Sequence, residues 1–186
     1  MKTIQILRTL INILFYTLIA VFSIGFVFLF LLYFFPESLP TYLGNFSMLF
    51  NQYFGWKMYL VPISTIINYT LLIIAMYFLR KSVASFLNSN FYSENVTRNL
   101  KKAGNIFVFI GVSSIIIQLF AVLHIQSIAN NLVQMETNFF TSLINILAAS
   151  IDLKSILAII IGLFFLLFST IFENSRTLKQ ENDLTI

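Results

Sequence analysis

TLINILFYTLIAVFSIGFVFLFLLYFF, Thr9 to Phe35, is 27 residues long and contains no Asp, Glu, Lys or Arg. A helix crosses the roughly 30 Å hydrocarbon core of a bilayer with about 20 apolar residues, so this run alone sets the class of the protein. Working outward, three more runs pass the same test. Met58 to Leu79 is 22 residues, with Pro62 near its start, where a missing amide hydrogen costs little. Ala103 to Leu123 is 21 residues and ends at His124, and Ser155 to Phe172 is 18, bounded by Lys154 and Glu173. The whole chain agrees. Of its 186 residues, 59% are hydrophobic and 10% charged, whereas soluble domains are about 45–50% apolar and about 25% charged. The expectation is an all-α, integral membrane four-helix bundle forming a single membrane domain over 1–186, with an additional interfacial or extracytoplasmic helical segment.

Lys2 and Arg8 ahead of the first run also fit a signal peptide. Its apolar stretch, however, is far longer than the roughly 7–15 residues of a signal core, and no small-residue cleavage site follows. A retained first helix is the better reading. Orientation follows from the basic residues. Lys2 and Arg8 precede the first span (9–35). Arg80, Lys81, Arg98, Lys101 and Lys102 lie in the loop 80–102 between the second span (58–79) and the third (103–123). Arg176 and Lys179 follow the fourth span (155–172). Nine of the eleven Lys and Arg therefore mark one side, and only Lys57 and Lys154 the other. The loop 80–102, the tail 173–186 and both termini are expected to be cytoplasmic.

The outer segments are 36–57 and 124–154. The first holds Tyr42, Phe46, Phe50, Tyr53, Phe54 and Trp56, aromatic residues suited to the headgroup boundary. In the second, Ile125, Ile128, Leu132, Met135 and Phe139 mark one helical face, opposed by Asn130, Asn131, Gln134 and Asn138. It can extend the third helix or lie along the surface, and Phe139 to Ile151 is short for a span. An interfacial or re-entrant segment is the preferred reading.

Each span carries a stripe of small or polar residues at helical spacing. The stripes are Asn12, Tyr16, Ala20 and Ser23; Ser64, Asn68 and Ala75 with Thr65 and Tyr69 alongside; Gly104, Gly111, Ser114, Gln118 and Ala121; and Ala158, Gly162 and Ser169. Small residues let membrane helices approach closely, and polar ones hydrogen-bond across the contact. The plainer reading is therefore that the stripes hold the bundle together. The sharper one is an intramembrane polar cluster of Asn12, Tyr16, Asn68, Tyr69 and Gln118 that binds or passes a small molecule. No charge enters a span, which speaks against driven transport, because coupling to a gradient needs an intramembrane titrating or moving charge. Catalysis has little to work with. A zinc site needs three or four His, Cys or carboxylate ligands, of which the chain supplies one His and no Cys; no phosphate loop or H-E-x-x-H is present, and His124 has no orienting acid near it in sequence. No metal, cofactor, enzymatic activity or direct nucleic-acid binding is expected.

The middle loop and the start of the third helix read RKSVASFLNSNFYSENVTRNLKKAG, Arg80 to Gly104. Ser93 is a favourable N-cap before Glu94, whose charge suits the positive end of a helix. Val96, Leu100, Ala103 and Phe107 then share a face, so one helix is expected from Glu94 to Leu123. Its basic residues meet anionic headgroups or form a docking face. The chain closes on FENSRTLKQENDLTI, Phe172 to Ile186.

ENDLTI, residues 181–186, after a hydrophobic helix and a Lys/Gln-rich turn, resembles the terminus of a bacterial membrane family, the domain-of-unknown-function 2975 family. FYSENVTRNLKKAGN, residues 91–105, is similar to a second recurring element of that family, and the four-span plan also agrees. The segment 124–154 is larger than the family usually carries. The resemblance implies a bacterial cytoplasmic (inner) membrane protein with no established activity. It also implies a neighbouring gene for a small helix-turn-helix regulator, and hence a regulatory or signalling role at the cytoplasmic face. The candidate contacts are Glu94, Asn95, Arg98, Lys101 and Lys102 with Glu181, Asn182, Asp183, Leu184, Thr185 and Ile186. The rival readings are a small-molecule transporter or permeability protein, as a homo-oligomer lined by the polar stripes, and an immunity-type protein using the region around Trp56.

Overall fold

Five α-helices and no strand make up the computed structural model, which describes residues 2–35, 40–41, 59–87, 93–133 and 139–184. They are α1 (Lys2–Phe34), α2 (Leu60–Leu87), α3 (Glu94–Val133), α4 (Phe139–Ser150) and α5 (Leu153–Leu184). Four of them are long and apolar enough to cross a membrane, over Ile4–Leu31, Leu60–Ser85, Glu94–Ile128 and Leu153–Asn182. The fold is thus an all-α membrane architecture with one extra helix, α4, between the third and fourth apolar helices. The aromatic set from Tyr42 to Trp56 and the residues Gln134, Met135 and Asn138 lie outside the described residues. So do Thr185 and Ile186, and the side chains of Asn130, Asn131, Leu132, Phe139, Asp183 and Leu184.

The helix ends follow from local chemistry. Pro62 falls in the first turn of α2, where backbone amides have no intrahelical partner. Ser93 stands at the N-cap of α3, and its carbonyl accepts from the amides of Val96 at 3.0 Å and Thr97 at 3.4 Å. Its hydroxyl makes no cap bond, so the backbone alone closes this end. Asp152, a residue type favoured at N-caps, precedes α5. At 40 residues α3 is the longest helix, about 60 Å at 1.5 Å per residue. It runs on through His124 to Val133, so the first part of the outer segment extends the third helix, and α4 follows as a separate helix of 12 residues.

The burial pattern is the reverse of a soluble protein's. Ile24 is 71% exposed and Leu153 70%, on helices whose composition only an apolar solvent can accommodate. Contacts divide the chain into two compact units. The first comprises Met1–Leu18, Thr70–Val112 and Lys154–Ile186, and the second Ile19–Tyr69 and Ser113–Leu153.

The first unit holds the buried core: Ala75, Met76 and Leu79 of α2 against Val96, Leu100, Ala103 and Phe107 of α3, with Ile11, Phe15 and Phe165 packed on it. Beside it α3 and α5 run antiparallel at very short range. A Cβ placed on Gly104 would stand 2.8 Å from the carbonyl oxygen of Gly162, and one on Gly162 2.7 Å from that of Gly104. One on Gly111 would meet the Ser155 carbonyl at 2.6 Å. One heptad before Gly104, the buried Ser169 hydroxyl donates to the Thr97 carbonyl at 3.0 Å. Thr97, Gly104 and Gly111 therefore face Ser169, Gly162 and Ser155, each set seven residues apart. A seven-residue period is the one that keeps a seam facing its partner as two helices wind left-handedly.

In the second unit the contact between α1 and α2 is largely aromatic and aliphatic. Phe22 of α1 stacks on Tyr69 of α2, with ring centroids 5.5 Å apart. Cavities of about 480 Å³ and 280 Å³ lie between α1 and α2, lined by residues such as Phe26, Leu29, Phe30, Pro62 and Ile66.

Gly162→Ala should therefore push backbone against backbone and cost about 1–3 kcal/mol, the usual penalty of overpacking. Gly25→Ala, which meets nothing within 4 Å, should leave stability unchanged. Thermal unfolding of both variants in one detergent checks the contrast, and equal midpoints would refute the close-packed seam.

Candidate interaction site

Hydroxyls are the commonest polar groups within the apolar helices, and most serve their own backbone. Ser23 donates to the Ile19 carbonyl, Ser64 and Thr65 to that of Val61, and Thr170 to that of Leu166. Such bonds hide the hydroxyl without linking helices. Other members of the polar stripes cross between helices instead. Ser169 reaches Thr97 in the first unit, and Asn68 in the second is engaged on both sides of its amide. The Asn68 side-chain oxygen accepts from Ser113 at 2.8 Å, and its nitrogen donates to Ser114 at 3.2 Å.

The five residues expected as an intramembrane polar cluster fall in different units. Asn12 and Tyr16 belong to the first, and Asn68, Tyr69 and Gln118 to the second. Tyr16 accepts from Arg80 at 3.2 Å, and Tyr69 lies on Phe22. The side-chain oxygens of Asn12 and Gln118 are buried with no hydrogen-bond partner.

The second group of candidates lies in the first unit, at the end that carries the basic residues. Glu94 begins α3, where a carboxylate complements the unpaired amides of the first turn. Its oxygen lies 3.5 Å from the Arg176 guanidinium of α5, so the pair joins the middle segment to the extension of α5. It is too exposed to contribute more than about 0.2–1 kcal/mol. Asn95 accepts from Arg98 one turn on, at 3.4 Å. Arg98, Lys101 and Lys102 are exposed, and the Lys102 ammonium sits 5.2 Å over the Phe78 ring. Between them Val96, Thr97, Asn99 and Leu100 are buried, so this stretch of α3 has one face in the bundle and one basic face outside it. Helix α5 continues past its apolar run to Leu184 and carries Glu181 and Asn182, both exposed.

Sequence reading had not singled out Arg176 as the partner of Glu94, Thr97 and Ser155 as members of the α3–α5 seam, or Arg80 as the partner of Tyr16. The seven-residue spacing of small residues was visible for the seam; nothing in sequence announces the two arginine contacts. Among the described residues no three His, Asp or Glu side chains group as metal ligands would.

Residues 50–186 match a family model described as a protein of unknown function, DUF2975. No curated protein and no solved structure matches the chain.

If Asn68 ties α2 to α3, Asn68→Leu should destabilise the protein by about 0.6–2 kcal/mol, the range for interhelical hydrogen bonds in bilayers. Ser23→Ala, which removes only a bond within one helix, should cost much less. Unfolding of the two variants side by side in the same lipid or detergent decides it.

Proposed function

We propose that this chain, which belongs to the DUF2975 family, is a non-enzymatic regulatory or signalling protein of the bacterial cytoplasmic membrane that binds a cytoplasmic partner. The partner class is a helix-turn-helix regulator, and the chain itself makes no direct contact with nucleic acid. Both termini and the segment between α2 and α3 face the cytoplasm, as the basic residues suggest.

The observation that supports this best is the junction of Glu94 with Arg176. The start of α3 and the extension of α5, 82 positions apart in sequence, stand side by side as one polar surface. It offers Glu94, Asn95, Arg98, Lys101 and Lys102 from one helix and leads along the other towards residues 181–186. Helices α3 and α5 also meet backbone to backbone at Gly104, Gly111 and Gly162, so a partner would meet a joined platform rather than two independent segments. A carrier or pore would leave its polar side chains open to a solute, whereas the Asn68 amide is occupied on both sides.

Removing residues 181–186 should leave membrane insertion intact and abolish co-purification of a regulator encoded beside the gene. Retention of every partner by the shortened chain would dismiss the tail. Independently, a reporter active only outside the cytoplasm, fused after Ile186, should stay silent; activity would invert the proposed orientation.

A further inference from the structure

Arg80 follows directly on the apolar run of α2, yet its guanidinium does not turn out towards the water. It reaches α1, donating to the Tyr16 hydroxyl at 3.2 Å and lying 5.4 Å from the Phe15 ring centroid and 5.2 Å from that of Tyr16. Tyr16 is seven residues into the apolar run of α1, about 10 Å along its axis at 1.5 Å per residue. A guanidinium held against apolar side chains is costly unless something answers its charge. Two rings and a hydroxyl do so only in part, and no carboxylate pairs with Arg80 among the described residues.

Around it the first unit offers more of the same sign. Arg8, Asn12 and Tyr16 are spaced four apart, so they form one line along α1. Arg8 is exposed, with no ion pair among the described residues. The side-chain oxygen of Asn12, midway along the line, is buried without a partner, and a half-turn of that amide presents two N–H donors instead. A planar fork of donors fixed on aromatic rings, an uncommitted amide and a second arginine at the mouth make a receptor for a compact oxyanion. Guanidinium matches phosphate oxygens two at a time, and basic pockets between membrane helices hold anionic headgroups.

We infer that Arg80, held by Phe15 and Tyr16 and flanked by Asn12 and Arg8, is the centre of a phosphate-binding site on the α1–α2 seam. The phosphate comes from an anionic phospholipid headgroup or from free phosphate in solution. The site uses none of the residues assigned to the partner surface, so it stands or falls separately from that reading.

The full chain in nanodiscs separates the two sources. In one arm the discs contain phosphatidylcholine with phosphatidylglycerol, and native mass spectrometry reads which lipid stays bound. In the other they contain phosphatidylcholine alone, and inorganic phosphate is titrated while thermal unfolding is followed. A lipid site predicts that the chain retains phosphatidylglycerol in preference, and that Arg80→Gln lowers this preference about tenfold, as loss of a charged hydrogen bond does. A free-phosphate site predicts stabilisation by inorganic phosphate that Arg80→Gln abolishes. In either case Arg80→Lys should recover only part of the effect, and Tyr16→Phe, which keeps the ring and removes the hydroxyl, should weaken it. These two variants decide the matter should Arg80→Gln fail to fold. Lys2→Gln makes the same change of charge on an exposed residue at the same end and should change little. The proposal is overturned if the unaltered chain selects neither probe, if the Arg80 and Tyr16 variants bind as it does, or if Lys2→Gln loses as much as they do.

Discussion

The close approach of α3 and α5 sets the terms for the rest of the first unit. In lipid there is no hydrophobic force to push helices together, because the tails are as apolar as the side chains. Cohesion has to come from contact area and from polar bonds that cross between helices. Gly104, Gly111 and Gly162 supply the first by removing side chains where backbone meets backbone. Ser169 supplies the second through the Thr97 carbonyl. Beside this seam, the adjoining face of α3 holds the core of Val96, Leu100, Ala103 and Phe107 against α2. Helix α3 is thus packed on two sides in the first unit, and the basic residues that remain project from its uncovered side.

The second unit shows the contrasting case. Along Ile19–Tyr69 the first two helices carry large side chains where they meet: Phe22, Phe26, Leu29 and Phe30 opposite Tyr69, Ile66 and Pro62. Such residues cannot interlock as closely as glycines, and cavities remain between them. A Cβ added at Gly25, in that stretch of α1, would meet nothing within 4 Å. Polar anchoring here rests on Asn68 with Ser113 and Ser114. Backbone contact is prominent in the first unit, and in the second the Asn68 amide links α2 to α3.

How much of this was legible in the sequence depends on the range of the interaction. The four apolar helices were, because bilayer thickness imposes a length and an absence of charge that can be counted along one segment. The unbroken helix beginning at Glu94 was legible for a similar reason, since Val96, Leu100, Ala103 and Phe107 repeat on one face. That α3 continues through His124 to Val133 was only one of two alternatives, because amphipathic spacing reads the same in an extension as in a surface helix. The polar stripes showed which residues do not belong in lipid but not what they bond to. Ser23 and Ser64 look equivalent to Ser169 in one dimension, yet the first two serve their own helices and the third another. Arg80 lay just beyond the charge-free run, and nothing local records that its side chain reaches inwards.

The α3–α5 seam also has a consequence in time. Its partners, Thr97 and Ser169, are 72 residues apart, with α4 between them. Chains emerge from the ribosome at roughly 5–20 residues per second, N-terminal parts first, so α1, α2 and α3 are complete seconds before α5 exists. During that interval the glycine face of α3 has no backbone to meet, and only the contacts among the first three helices are open to it. The α3–α5 seam is therefore a contact of the first unit that can form only after α5 has been made.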